Sequence, residues 1–324
     1  MRVAVVIVSK NDPRLDACLE SVYAQKPPFE FDVVVVDNAS RPEFHDALAK
    51  KWTAKPNFRT QIIPGNFSAA WNVGAFATGA EVLARLDSDT IAHEAWLERL
   101  VHPLLEETGI AWTAGAVVGP TPLRSLTQRY FHHRTLGYEE RLRGETLPTS
   151  AVPSWNVAYR RDALMDVGGY DPWQKSSIDW DLHKRLADRG HEGRYVPDAL
   201  VTHDHPARLR DFYRKEAWYR TGQYQMMLKY GPKAIRESLA LPATYLALAG
   251  LAVLGVVDAR ITYVAAVGFF FLLFKQWLTA RMEHDAVWWA RPFYRVVEAT
   301  AALHGLVRGL LRFGVRRRPI PRPA

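Results

Sequence analysis

Four short apolar runs, each closed by polar residues and separated by segments of helical spacing, constrain this chain more than any other feature. Val3-Ala-Val-Val-Ile-Val8 is apolar throughout, the pattern of a strand buried on both faces of a parallel sheet. Ser9-Lys-Asn-Asp-Pro13 breaks it, and Leu15, Leu19, Val22 and Tyr23 then recur at helical spacing. Val33-Val-Val-Val36 stops at Asp37-Asn-Ala-Ser40, and a helix is expected from Glu43 to Trp52. Thr60 to Ile63 reads as a third strand, Phe67 to Thr78 as a helix, and Glu81 to Leu86 as the fourth strand. The order β-α-β-α-β-α-β predicts an α/β fold: a doubly wound, mainly parallel sheet flanked by helices, with right-handed crossovers. Such sheets bind ligands beyond the carboxyl ends of their strands. Ser9, Asn11, Asp37, Asn38, Asp87 and Asp89 all stand at such ends.

Asp87-Ser-Asp89 follows the fourth strand directly. Residues two apart in a strand point to the same side, so the two carboxylates can converge on one point. A hard divalent cation suits that arrangement, since Mg²⁺ is commonly held by one or two carboxylates plus substrate phosphates. Asp and Ser are also ordinary turn residues, as are Asp37 and Asn38. No G-x-G-x-x-G follows the first strand and no G-x-x-x-x-G-K-[ST] occurs, which disfavours a dinucleotide dehydrogenase and a P-loop NTPase.

Ala92 to Glu107 predicts a helix and Ile110 to Val118 a strand. Pro120 to Pro148 is poorly periodic and rich in Arg, His and Tyr, which suggests a long, partly helical excursion over the active face. Order returns with Ser154 to Tyr159, a short helix from Arg161, and the turn Gly168-Gly-Tyr-Asp171. Ser176 to Leu182 leads into a helix running to about Arg189 and closed by Gly190. Asp179 sits near its start, where capping and the helix dipole also favour carboxylates, and Asp181 reads as structural. Tyr195-Val196 predicts a brief strand, and Leu200-Val-Thr-His-Asp-His205 ends another with two imidazoles two residues apart. That pair suits a metal or a phosphate about as well as a structural role.

At 324 residues the chain has ample length for a core, and its single Cys18 excludes an intrachain disulfide and fits a reducing compartment. Its first strand starts at once, without the layout of a cleaved leader. The net charge of +8 collects after about residue 205 and ends in Arg316-Arg-Arg-Pro-Ile-Pro-Arg322. Such a surface suits nucleic acid, anionic lipid or an anionic substrate. Ala207 to Tyr230 predicts a charged helix with interleaved aromatic residues. Leu239 to Val257 then runs 19 residues without a charge, and Ile261 to Phe274 is again uncharged after Asp258-Ala-Arg260. Two apolar segments joined by a tight turn predict a transmembrane hairpin, and Lys229, Lys233, Arg236, Lys275 and Arg281 place both ends in the cytoplasm. The alternative is a buried hairpin of a soluble protein. Val296, Val297, Leu303, Leu306, Val307, Leu310 and Leu311 form a helical apolar stripe, expected to lie at the membrane surface with the Arg tail on anionic headgroups. Packing on the catalytic domain is the other option for that helix.

Taken together, Ser9-Lys-Asn11, Leu19-Glu-Ser21 with Gln25, Val35-Val-Asp-Asn-Ala-Ser40, Asn66 and Asn72-Val-Gly74 resemble a family 2 glycosyltransferase of the GT-A fold. The Asp87-Ser-Asp89 DXD triplet, Arg160-Arg161, Gly168-Gly-Tyr-Asp171 and Asp179-Trp-Asp-Leu182 extend the likeness over about residues 1–205. The resemblance implies that Ser9, Asn11, Asp37, Asn38, Asn66, Asn72 and Asp87 help hold a nucleotide-sugar donor. It implies Mn²⁺ or Mg²⁺ on Asp87 and Asp89, with His203 as a third ligand and His205 the competing imidazole. It also implies an inverting hexosyl transfer with Asp179 as the base, although the acidic residue common just before that base is here Ile178. The expected layout is a catalytic domain over 1–205, a connecting helix over 206–236, the hairpin over 237–280, and an interfacial helix with a basic tail over 281–324.

The leading expectation is a membrane enzyme of glycan biosynthesis, its catalytic domain cytoplasmic, adding a sugar to a lipid-linked saccharide. Transfer onto a polyprenyl phosphate is the neighbouring reading. A non-catalytic nucleotide-sugar or nucleic-acid binding protein is the alternative class, and no nucleic-acid motif supports the latter. No residue pattern specifies the donor base, the sugar or an oligomeric state.

Overall fold

The computed structural model describes residues 2–140, 146–147, 155–254, 256–282 and 286–315. Among the described residues two compact units are present, one formed within 2–120 and 135–204, the other within 121–134 and 205–315.

The first unit is built on a nine-stranded sheet with β1 (Val3–Ser9), β2 (Phe31–Asp37), β3 (Phe58–Ile62) and β4 (Val82–Leu86) in the order β3-β2-β1-β4. These four strands pair in parallel, with Ser9 level with Asp37 in the β1–β2 register. Helices α1 (Leu15–Tyr23), α2 (Pro42–Trp52) and α3 (Phe67–Phe76) make the crossovers. Both faces are covered, which explains the unbroken apolar runs of β1 and β2. On one face Val3, Val5, Ile7, Val33 and Val35 pack with Leu15, Leu19 and Trp52. On the other Ala4, Val6, Val34 and Val36 pack with Trp71, Tyr159 and Tyr170. The α3 crossover approaches the sheet closely: a Cβ at Gly74 would fall 2.2 Å from a methyl of Val36.

Beyond β4 the sheet continues through strands β5 (Thr90–Ala92), β6 (Ile110–Val118), β7 (Thr146–Leu147), β8 (Asn156–Arg160) and β9 (Glu192–His203), in the order β8-β6-β9-β5 with β7 on β9. Strand β8 is antiparallel to both neighbours and β5 is antiparallel to β9, so the sheet is mixed at this end. Helix α4 (Trp96–Glu106) starts four residues later than its periodicity suggests, because Thr90-Ile-Ala92 is drawn into β5. The two strands expected around Tyr195 and Leu200 are one, β9. Its register against β6 shifts between Gly115 and Val117, opposite Pro197, which has no N–H for the ladder. Helix α5 (Leu126–Glu140) supplies the helical part of the expected excursion, whose residues 141–145 and 148 lie outside those described. Helices α6 (Arg161–Asp166) and α7 (Ile178–Asp188) follow β8.

The second unit is helical, with α8 (Leu209–Tyr230), α9 (Arg236–Leu254), α10 (Ala259–Met282) and α11 (Arg291–Phe313). Helices α8 and α11 approach closely enough that a Cβ at Gly305 would sit 2.2 Å from the Ala217 carbonyl oxygen. Small residues and glycines make up much of the buried face of α11: Ala301, Ala302, Gly305 and Gly309 beside Tyr294 and Glu298. The large apolar residues of the expected stripe lie off that face, with Val307, Leu310 and Leu311 exposed. Of the two expected spans, α10 is long and apolar enough over Ala259–Arg281, its apolar window 6% buried, whereas the apolar part of α9, Leu239–Leu254, is shorter. At about 1.5 Å per residue the former covers the roughly 30 Å hydrocarbon core and the latter falls short.

Candidate active site

The carboxyl ends of β1, β2 and β4 present the polar residues that the strand pattern singled out. Ser9, the last residue of β1, is 3% exposed, and its Oγ has no hydrogen-bond partner. Asn38 N donates to the Ser9 carbonyl at 2.8 Å, and Asn38 Oδ1 is likewise buried without a partner. Buried polar atoms at a strand end are rarely left unpaired unless something else satisfies them. Asn11, held at positive φ, ties the first two loops together: its N–H donates to Ser40 Oγ at 2.9 Å and its Oδ1 accepts from Arg41 N at 2.8 Å.

Asp37 is 1% exposed, and both its oxygens are engaged. Oδ1 accepts from Ser40 N at 2.8 Å, and Oδ2 lies 2.9 Å from His45 Nδ1. His45 sits on α2, and no motif pointed to it; the crossover alone carries it to Asp37. Asn66 caps α3, its Oδ1 accepting from Ala69 N at 2.9 Å while its amide donates to the Pro172 carbonyl. Asn72 grips the Gly168–Asp171 turn: Nδ2 donates to Tyr170 O at 2.7 Å and Oδ1 accepts from Tyr170 N at 2.9 Å. Gly169 of that turn has φ +66 and lies so close to Asn72 that any Cβ would clash with the amide.

Asp87, Asp89 and His203 come together, each offering one ligand atom, all within 4.8 Å of one another. The antiparallel pairing of β5 and β9 sets Thr90 opposite His203 and so brings Asp89 beside the imidazole. His203 Nε2 lies 3.6 Å from Asp89 Oδ1, while Nδ1 is 2.6 Å from the Asp204 carbonyl. A proton on Nδ1 donated to that carbonyl leaves the Nε2 lone pair for an ion. Two carboxylates and an imidazole form a donor set for a hard or borderline divalent cation. Ligands about 2.1 Å from one ion lie at most about 4.2 Å apart, so closing on it needs only small side-chain rotations. His205 belongs to the other compact unit, where its Nε2 is 3.4 Å from His132 Nδ1.

Two arginines that the strand pattern did not single out accompany the pair. Arg14 Nη1 lies 3.3 Å from Asp89 Oδ2 and 3.3 Å from Asp204 Oδ2, and its Nε donates to Asp12 Oδ1 at 2.8 Å. Burial opposes ionisation of Asp12, yet the hydrogen bonds from Arg14 and Ser88 hold its pKa below the ordinary value. Arg85 Nη2 donates to Asp87 Oδ1 at 3.0 Å. Cys18, whose Sγ reaches the Asp87 carbonyl at 3.5 Å, is no nucleophile: burial pushes its thiol up to about 12. Asp179 occupies the first turn of α7, its Oδ1 accepting from Trp180 N at 3.0 Å, and it lies outside the three-residue group. Asp181 is fully buried and paired with Arg185 at 2.9 Å, the structural role its position suggested.

A family model described as "Glycosyl transferase family 2" matches residues 4–168. The pre-mycofactocin glycosyltransferase of Mycobacterium tuberculosis is 36% identical over 156 residues, 47% of this chain and 33% of that protein, so the chain spans only a third of that relative's length. Glycosyltransferase AglE of Haloferax volcanii is 28% identical over 233 residues, 70% of this chain and 74% of that one. Among solved structures, the mannosyltransferase PcManGT from Pyrobaculum calidifontis, in complex with GDP-Man and Mn²⁺, superposes with a TM-score of 0.59 at 17% identity, covering 93% of this chain and 86% of that one. GalNAc-T7 with UDP, GalNAc and Mn²⁺ gives 0.52 at 19% identity over 73% and 54%. The sheet order, the polar strand ends and the family match agree: this chain belongs to glycosyl transferase family 2 and has a GT-A-like fold.

Proposed function

We propose that this glycosyltransferase is an inverting, metal-dependent hexosyltransferase that moves a sugar from a nucleotide-diphosphate sugar to a hydroxyl of a lipid-linked saccharide at the cytoplasmic membrane face. The convergence of Asp87, Asp89 and His203 beyond the sheet's carboxyl edge carries this reading. The Mn²⁺ and nucleotides bound in the structural relatives support the donor class.

In this reading Ser9, Asn11, Asp37 and Asn38 line the nucleotide side, with His45 fixing Asp37. Asn66 and Asn72 contribute through the 168–172 segment they hold. Asp87, Asp89 and His203 hold Mn²⁺ or Mg²⁺, which when bound offsets the charge of the departing diphosphate. Asp179, in the first turn of α7, accepts the proton of the attacking hydroxyl. The exposed apolar residues of α10 and α11 and the basic C-terminal region support membrane attachment, which raises the local concentration of a lipid-borne acceptor.

The test is a labelled-donor assay in detergent with two acceptors, a lipid-linked saccharide and a polyprenyl phosphate, and NMR of the product's anomeric centre. Transfer to the saccharide with inversion is expected. Retention of configuration, or transfer to the polyprenyl phosphate alone, would overturn the reading.

A further inference from the structure

Arg85 is an unusual residue for its place. It lies in the fully buried strand β4 and is itself 6% exposed, on the face where Leu83, Trp71, Tyr159 and Tyr170 pack. Its guanidinium sits 4.4 Å from the Phe67 ring centroid and 5.2 Å from that of Tyr170. A charge in such a core is costly unless its hydrogen bonds are well placed. Nη2 reaches Asp87 Oδ1 at 3.0 Å, and Nη1 donates to Tyr170 Oη at 2.9 Å.

From Tyr170 the hydrogen bonds continue inward. Tyr170 Oη and Tyr159 Oη are 3.1 Å apart, and Tyr159 Oη is 2.9 Å from His183 Nε2. Arg85 can only donate, and each hydroxyl can pass the donation on: Arg85 to Tyr170, Tyr170 to Tyr159, Tyr159 to His183. Burial, followed by the neighbouring Tyr170, raises the Tyr159 phenol well above its ordinary value, so its proton stays in the chain. His183 is stacked on Trp112 with ring centroids 4.1 Å apart, which fixes the far end. It lies on α7 one turn after Asp179. The chain therefore runs, inside one compact unit, from the Asp87 carboxylate to the helix that carries the proposed base.

We propose that Arg85 is a positioning residue for the metal-binding carboxylate of Asp87, and that the Tyr170–Tyr159–His183 chain rooted in α7 holds Arg85 in that role. This rests on the reading of Asp87 as a metal ligand. Arg85 engages one oxygen of Asp87 and leaves the other for the ion, oriented before the ion arrives.

The sign of the effect separates positioning from competition. A cation beside a metal site should weaken it by repulsion, so removing the charge would tighten Mn²⁺ binding. Loss of a positioning residue loosens it, commonly by about tenfold or more. The experiment titrates Mn²⁺ alone into the detergent-solubilised full chain and reads free Mn²⁺ by EPR, for wild type, Arg85→Met, Arg85→Lys, Tyr170→Phe and Asp89→Asn. The expected results are about tenfold weaker binding in Arg85→Met, partial rescue in Arg85→Lys, and weaker binding in Tyr170→Phe, although Tyr170 does not touch Asp87. Asp89→Asn should abolish binding. Unchanged or tighter binding in Arg85→Met overturns the proposal. Should Arg85→Met fail to fold, Tyr170→Phe decides by itself, since it removes one oxygen and unchanged affinity overturns the proposal. Wild-type Mn²⁺ affinity in Asp89→Asn would overturn the metal site and this proposal together.

Discussion

Asp87 and Asp89 differ in the company each keeps. Asp87 faces a buried guanidinium inside the sheet, whereas Asp89 faces a half-exposed one, Arg14, and the His203 imidazole. Asp179 is set apart from both, in the first turn of a helix. That separation predicts separable phenotypes. Asp179→Asn should keep donor and Mn²⁺ binding, measured calorimetrically, and lower kcat by about 10²–10⁴-fold, the range for a lost general base; turnover near wild type would remove Asp179 from that role. Some of this is legible in the sequence alone. The i, i+2 carboxylates and their strand end were legible because strand periodicity is local. Arg85 left a trace as a lone charge in an apolar run. Arg14 and His45 left none: Arg14 meets Asp89 from a segment distant in sequence, and His45, although near Asp37 in the chain, is carried to it only by the α2 crossover.

Strands β1, β2 and β4 are legible because burial on both faces leaves mostly apolar residues, Arg85 of β4 being an exception. The three-residue β5 is not, since so short a strand exists only through its pairing with β9. Helix α11 shows the same limit more sharply. Its periodicity marks the large apolar residues, while close packing on α8 selects the opposite, small-residue face. Gly305→Val should therefore break that packing, and a loss of about 1–3 kcal/mol in denaturant unfolding is expected.

The same helices enclose an ion cluster. Arg134 donates to Glu216 and to Glu298, each at 2.7 Å, and Arg295 and Tyr130 also donate to Glu298. Glu216 and Glu298 are both nearly inaccessible. Arg134→Met takes the guanidinium from both buried carboxylates, leaving Glu298 to Arg295 and Tyr130, and should destabilise the helical unit by about 3 kcal/mol, the low end for a broken buried pair because Arg134 is partly exposed. Burial opposes ionisation of Glu298, but Arg134 and Arg295 outweigh it and leave its pKa below the ordinary value. A folded pKa lower than the unfolded one gives stability that is present above the unfolded value and lost as pH falls through the folded one. Acid titration of unfolding should show that loss in wild type and a smaller one in Glu298→Gln.

For the whole molecule, the proposed membrane attachment rests on the net charge of +8 and the exposed apolar residues of α10 and α11. Leu310→Glu with Leu311→Glu should cut co-sedimentation with anionic vesicles by about tenfold or more, given roughly 1.5–3 kcal/mol for each leucine buried. Donor-dependent hydrolysis should remain, because neither residue belongs to the catalytic unit. Unaltered vesicle binding would contradict the interfacial role of α11.

In the proposed function, the residues at the carboxyl edge of the sheet hold a nucleotide sugar through a divalent metal. A thermal-shift screen of nucleotide sugars, with and without Mn²⁺, on wild type and Asp89→Asn tests it directly. One donor should raise the Tm only when Mn²⁺ is present, a stabilisation of about 2.7 kcal/mol at a hundred times its Kd. The gain should vanish in Asp89→Asn. Stabilisation that needs no metal, or that survives Asp89→Asn, would rule out a donor held through the metal at this edge.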